Sequence, residues 1–233
     1  MTHVLIEGYD IDAPWLRGEL QGILRAEARV TLVALAFRDA QVASARDWDA
    51  LYGPEGGRYY EALVAPLAAY GIAKEQVAFV NWFSDTRETA LAKIRQADAL
   101  YFPGGLPDRM MQRIEALGLA QAIRAFQGVV LGCSAGAMIQ FGEYHVSPDE
   151  DYPRFGYYRG LSRLNGFYYE PHYEGNEAQR SAIRRVLAER SQPVYATHAG
   201  KGAIIVEKGV VRAIGEVDVF APEERAAGRR KNP

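Results

Sequence analysis

The sequence predicts an α/β protein with a doubly wound, mainly parallel sheet, helices on both faces and a C-terminal β-hairpin. Three observations carry that prediction. Short apolar runs alternate with helix-periodic segments over most of the chain. One run, Val30-Thr31-Leu32-Val33-Ala34-Leu35, is almost continuously apolar, as strands covered on both faces of a parallel sheet are. Near the C-terminus, Ala203-Ile204-Ile205-Val206 and Val210-Val211 flank a Lys208-Gly209 turn, which reads as a hairpin added to the sheet edge.

The elements follow in order. Val4-Leu5-Ile6 is a short opening strand, and Trp15, Leu16, Leu20, Ile23 and Leu24 then keep helical spacing. After the 30–35 strand, Tyr60, Leu63, Val64 and Leu67 form one helical stripe between Tyr59 and Tyr70. Gln76 to Val80 is the next strand. Asp85 with Glu88 has the spacing of an N-terminal capping arrangement for a helix that contains Leu91 and Ile94. Ala99-Leu100-Tyr101-Phe102 ends at Pro103-Gly104-Gly105, and Met110, Met111 and Ile114 stripe the helix after it. Val129-Val130-Leu131 runs directly into Gly132-Cys133-Ser134-Ala135-Gly136-Ala137. Beyond about residue 160 the alternation thins to one helix carrying Ile183, Val186 and Leu187, followed by Val194-Tyr195-Ala196 and the hairpin.

Composition narrows the function classes. A chain of 233 residues can form one large α/β domain, expected over residues 1–220, with a charged tail at 221–233 that frays. A net charge of −2 provides no broad footprint for nucleic acid. The single cysteine, Cys133, rules out an intramolecular disulfide and a cysteine-rich metal site. No H-x₃-H or H-E-x₂-H spacing occurs, so neither a metal nor a cofactor is implied. There is no basic segment leading a long apolar stretch and no run of about 18 apolar residues. The expectation is therefore a cytoplasmic protein with no membrane span, for which a homodimer is a compatible assembly.

The chemistry concentrates at G-x-S-x-G, Gly132 to Gly136, between an apolar strand and a helix-compatible stretch. A nucleophile exposed at the carboxyl end of a central strand needs a tight, strained turn, and small residues two before and two after it let strand and helix approach. The Ala135 N–H would then face a developing oxyanion. The five-residue pattern alone also fits a glycine-rich turn that merely packs a helix on a strand. Gly104-Gly105 can turn a second N–H toward the same crevice, Gly105 being the candidate donor, although a plain strand-to-helix turn has the same composition. A serine nucleophile needs a base of near-neutral pKa, and the chain has four histidines. His3 sits on the first strand, and His145 lies in a polar stretch that reads as solvated. By position either His172 or His198 can serve as the base.

Taken together, these residues resemble the serine peptidase family of dipeptidase E (aspartyl dipeptidase) and cyanophycinase, whose fold is like that of class I glutamine amidotransferases. The resemblance spans roughly residues 1 to 220. It rests on Ala97-Asp98-Ala99-Leu100-Tyr101-Phe102-Pro103-Gly104-Gly105, on Gly132-Cys133-Ser134-Ala135-Gly136-Ala137, and on Gly160-Leu161 leading to Pro171-His172-Tyr173. It implies a serine hydrolase acting on a small peptide or amide, with Ser134 as nucleophile, His172 as base, and Gly105 and Ala135 as oxyanion donors. Family arginines after the histidine make Arg180 the candidate for binding a substrate carboxylate, which suggests an acidic substrate, with Arg184 a weaker choice.

Two departures stand out. Leu106 replaces the polar residue usual after the paired glycines, and Ala199 stands where members often carry the acid that orients the histidine. Asp149, Asp151, Glu170 and Glu174 are possible substitutes. Asp149 is favoured, because some members have an aspartate at a similar distance after the serine. The same departures support an alternative, a weak or inactive amidotransferase-like domain that binds a small molecule or a partner. A third reading makes Cys133 the nucleophile, but the residue before the elbow centre points away from the crevice.

Overall fold

A computed structural model describes residues 1–222, so the expected tail beyond Pro222 lies outside the described residues. In chain order the elements are β1 (Thr2–Ile6), α1 (Pro14–Leu20), β2 (Val30–Val33), α2 (Ala45–Tyr52), α3 (Tyr60–Val64), β3 (Val77–Val80), α4 (Arg87–Gln96), β4 (Ala99–Phe102), α5 (Pro107–Ala116), α6 (Ala120–Ala125), β5 (Val129–Cys133), α7 (Ala135–Met138), β6 (Glu143–Val146), β7 (Gly156–Arg159), β8 (Tyr168–Glu170), α8 (Glu177–Arg190), β9 (Val194–Glu207) and β10 (Val210–Phe220). Eight strands form the main sheet in the order β10-β9-β1-β5-β4-β2-β3, with β8 also paired to β9. The pairs β1–β5, β5–β4, β4–β2, β2–β3 and β8–β9 are parallel, while β9 runs antiparallel to β1 and to β10. The doubly wound, mainly parallel sheet and its C-terminal hairpin are as the sequence predicts.

Strand alternation builds two cores. Leu5, Val33, Leu100, Phe102, Val130, Ile204 and Val206 face one side, where Ala90 and Ile94 of α4, Met110 and Ile114 of α5, Ile123 of α6 and Ala137 of α7 cover them. Val4, Ile6, Leu32, Tyr101, Leu131, Cys133 and Ile205 face the other, covered by Leu16 and Leu20 of α1, Trp48 and Tyr52 of α2 and Leu63 of α3. Successive strand residues point to opposite faces, so a strand buried on both must be apolar throughout.

Local chemistry sets several boundaries. The helix expected to run to Tyr70 ends at Val64 and continues as a 3₁₀ segment, Ala65–Tyr70, with Pro66 in its first turn and Gly71 closing it at φ +77°. Thr86, rather than Asp85, caps α4 by accepting from the Thr89 N–H at 3.3 Å. Asp85 instead binds Lys93 Nζ at 2.7 Å and accepts from the Asn81 N–H. Two apolar runs expected as separate strands are joined in β9, which pairs with β10 up to Thr197 and again from Gly202, with residues 198–201 bulging opposite the register shift between Gly215 and Val217. The antiparallel pair β6–β7 and the short β8 are not legible as strands in the sequence.

His145, expected to be solvated, is 1 % exposed. It lies on β6 with Nε2 2.6 Å from Glu170 Oε2, flanked by Phe155 and Tyr168. Among the described residues no helix is long and apolar enough to cross a membrane.

Candidate active site

Ser134 leaves β5 at φ +47°, ψ −109°, a strained backbone for a residue with a side chain. Its N–H donates to Ile6 O at 2.8 Å, which fastens the turn to the neighbouring strand. The flanking glycines are there for space. A Cβ on Gly132 would stand 2.3 Å from Gly136 O, and one on Gly136 only 2.0 Å from Phe102 O. The motif thus allows α7 to leave immediately beneath β4 and β5, with Ser134 at the carboxyl end of the sheet, where parallel sheets bind ligands.

Gly105 occupies φ +137°, and a Cβ there would lie 2.3 Å from Ala36 O. The next residue, Leu106, gives its N–H to that same carbonyl at 2.7 Å. This backbone bond fixes the turn after the paired glycines whatever the side chain at 106. Gly104 N–H donates to Tyr9 Oη at 3.3 Å. The N–H groups of Gly105 and Ala135 have no acceptor among the described residues, which leaves both available to an incoming oxygen.

His172 follows β8 in the left-handed region, φ +51°. Its Nε2 lies 2.9 Å from Ser134 Oγ. With the ring proton on Nδ1, Nε2 accepts the serine hydroxyl proton. The loop is clamped from several sides. Gln179 Nε2 donates to His172 O at 2.8 Å, Gln179 Oε1 accepts from Glu174 N–H at 2.9 Å, and Tyr173 N–H donates to Thr197 O at 2.9 Å. Gln179, which the sequence reading did not single out, is the buried residue that ties α8 to this loop.

The carboxylate beside the ring is that of Glu7, immediately after β1. Its Oε2 is 3.5 Å from His172 Nδ1 and accepts from the His172 N–H at 2.9 Å, and its Oε1 accepts from the Gly200 N–H. Asp149, the expected acid, is not at the ring. Its Oδ1 accepts from the N–H groups of Asp151 and Tyr152 at 2.9 and 2.7 Å, closing a turn. Asp151 pairs with Arg38, and Glu170 is taken up by His145 and Ser147. His198, the other positional candidate for the base, faces Asp218 Oδ2 at 3.1 Å. Cys133, at the edge of the Ser134 crevice, is buried, with its thiol donating to Glu7 O at 2.9 Å and pushed up in pKa by burial. The thiolate needed for nucleophilic chemistry is thereby suppressed.

Ser134 and His172 open into a crevice of about 250 Å³ walled by Tyr9, Phe37, Leu51, Tyr52 and Tyr59. Its lining cation is Arg38, held by Asp151. Arg180 does not line this crevice. Its guanidinium lies over Gly175 in the loop after His172, while Arg184 pairs with Glu177. A larger recess, about 490 Å³, opens at the opposite ends of the strands around Thr2, Ala99 and Val129 and contains neither Ser134 nor His172. Among the described residues no cluster of three or more His, Cys, Asp or Glu side chains could hold a metal ion.

Comparison with known proteins gives the site its context. The fold is similar to that of a candidate peptidase E protein from Listeria monocytogenes EGD-e, with TM-score 0.65 and 19% identity over 92% of this chain and 98% of that one. It is also similar to a peptidase from an acI-B1 actinobacterium, with TM-score 0.62 and 16% identity over 95% of this chain and 90% of that one. No curated protein matches the chain in sequence. The sequence profile of Peptidase family S51 matches residues 56–214, a span that includes the paired glycines, the serine turn and the histidine loop. The chain belongs to Peptidase family S51 and is a serine-type peptidase.

Proposed function

We propose that the protein cleaves a small peptide or amide through an acyl-enzyme formed on Ser134. Ser134 Oγ attacks the scissile carbonyl while His172 Nε2 takes its proton, and the tetrahedral oxyanion is met by the N–H groups of Gly105 and Ala135. Collapse breaks the C–N bond as His172 returns the proton to the leaving amine. Water then repeats the sequence to release the acid and restore the serine. The observation that carries this reading is the 2.9 Å contact between Ser134 Oγ and His172 Nε2 at the carboxyl end of β5.

The alternative of a non-catalytic binding domain rested on Leu106 and on the missing acid at Ala199. Against it stands the carboxylate of Glu7 beside His172, reached from the end of β1 rather than from position 199. An acidic end on the substrate fits Arg38 in the crevice, whereas Arg180 lies over the histidine loop outside it. Because Asp151 already holds Arg38, a substrate carboxylate would have to displace or share that partner.

The test is labelling by a fluorophosphonate with turnover of a small aminoacyl anilide panel. Wild-type protein is expected to label at Ser134, and Ser134→Ala to lose labelling and turnover by roughly 10⁶-fold. Equal labelling of Ser134→Ala, or an unlabelled wild type, overturns the assignment. A preference for aspartyl over leucyl anilide supports the acidic substrate, and the reverse preference rejects it.

A further inference from the structure

We propose that Glu7 is the positioning carboxylate of this site, the group that fixes the tautomer and orientation of His172. The inference rests on the serine-histidine reading above and adds the member that the serine, histidine and glycine motifs do not supply. Glu7 is 5 % exposed, and burying a carboxylate is costly unless it is well partnered. Its partners are the His172 N–H, the Gly200 N–H and the His172 ring at Nδ1. The two backbone donors belong to the histidine loop after β8 and the middle of β9, so Glu7 ties both to the end of β1.

Register explains how a residue so far away in sequence reaches the ring. Strands β1 and β5 are parallel, with Ile6 opposite Cys133, so the next residues, Glu7 and Ser134, leave the sheet side by side. Strand β9 flanks β1 on its other side, and β8 flanks β9, which brings His172 and Gly200 to the same edge. A carboxylate facing Nδ1 favours the tautomer with its proton there, and that tautomer leaves Nε2 free to accept from Ser134. The 3.5 Å separation is long for a hydrogen bond, and contacts of this kind shorten when the imidazolium forms.

Two substitutions separate charge from shape. Glu7→Gln keeps the length and shape but removes the charge and leaves a single oxygen that can accept from only one of the two backbone N–H groups. Glu7→Asp keeps the charge on a shorter stem. A positioning carboxylate predicts that Glu7→Gln slows both fluorophosphonate labelling of Ser134 and anilide kcat, by up to about 10⁴-fold, with KM little moved. It also predicts that Glu7→Asp retains more of the rate than Glu7→Gln. A purely structural bridge predicts that both variants lose stability in urea denaturation while the folded fraction keeps the wild-type labelling rate and kcat, and that result overturns the proposal. So does loss of rate in Asp149→Asn with none in Glu7→Gln.

A second measurement covers a Glu7→Gln variant that fails to fold. In ¹⁵N-labelled wild type, the His172 Nδ1–H proton is expected as a slowly exchanging low-field resonance. A freely exchanging ring proton there overturns the assignment of Glu7. If wild-type protein resists the fluorophosphonate, the nucleophile assignment fails, while the Nδ1–H resonance still decides Glu7 on its own.

Discussion

At Ser134 the backbone holds a left-handed conformation that its own side chain disfavours, and the surroundings have to maintain it. The Ser134 N–H bond to Ile6 O is one restraint, and the close packing of Gly136 against Phe102 O is another. Gly136→Ala would place a methyl 2.0 Å from that oxygen, so α7 must shift from β4. The expected outcome is a loss of about 3 kcal/mol or more in urea denaturation, with slower labelling of whatever remains folded. A cost below about 1 kcal/mol would mean the strand and helix are not locked as described. The glycine spacing was legible in the sequence because one part of the crowding, a Cβ on Gly132 against Gly136 O at 2.3 Å, is local, while the contact of Gly136 with Phe102 O comes from the neighbouring strand. Gly104 is different: a Cβ there would meet nothing closer than 3.4 Å, so only Gly105 of that pair is required by geometry.

Single elements bring the histidine to the serine. Helix α8 is capped by Asn176, which accepts from Gln179 N–H at 3.0 Å, and the same Gln179 uses its side-chain amide to hold the loop before the helix. Gln179→Ala removes two hydrogen bonds and leaves the His172 carbonyl and Glu174 N–H to find water. It is expected to cost about 2 kcal/mol in thermal or urea unfolding, at about 1 kcal/mol for each bond, and to lower kcat more than it raises KM. An unaltered kcat in a folded variant would show that the loop holds its shape without the clamp. Helix α8 itself was readable from its apolar stripe. Its grip on the histidine was not, because a buried glutamine leaves no mark in apolar periodicity. The same limit hid β6, β7 and β8, whose aromatic and polar residues pair in antiparallel or edge positions and carry no continuous apolar run.

Across the whole molecule, β1 connects the two halves of the site. Glu7 leaves its carboxyl end beside His172, and His3 near its other end holds the elbow helix from behind. His3 Nδ1 is 2.7 Å from Gln140 Oε1, and Gln140 Nε2 donates to Gly136 O at 3.2 Å. Burial pushes the His3 ring down to about 4, against an ordinary value near 6.5. Between those values the unfolded chain takes up a proton that the folded protein refuses, so stability falls as pH drops from about 6.5 to about 4. The loss from this group reaches about 3 kcal/mol and is complete below that window. His3→Asn has no charge to gain, so it should flatten the dependence when unfolding free energies at pH 7 and pH 4.5 are compared. Equal slopes in wild type and variant would rule out His3 as a source of acid sensitivity.

The alternation of apolar runs and helical stripes determined the parallel sheet, because backbone burial on two faces dictates composition one residue at a time. The serine turn was equally legible, since Gly132 is crowded by Gly136 only four residues on, and the paired glycines were visible as a motif although the Ala36 carbonyl that requires Gly105 is distant in the chain. The acid beside the histidine was not. In the sequence, Glu7 is only a charged residue after a short strand, 165 positions from the ring it faces. Asp149 was preferred because its spacing from the serine could be counted along the chain. Strand order decided otherwise: with β1 seated between β5 and β9, the residue that leaves β1 stands beside both Ser134 and Gly200. Which strands are neighbours is a property of the folded sheet, so the nucleophile could be read from the chain, while the neighbour of its base was decided only by the tertiary structure.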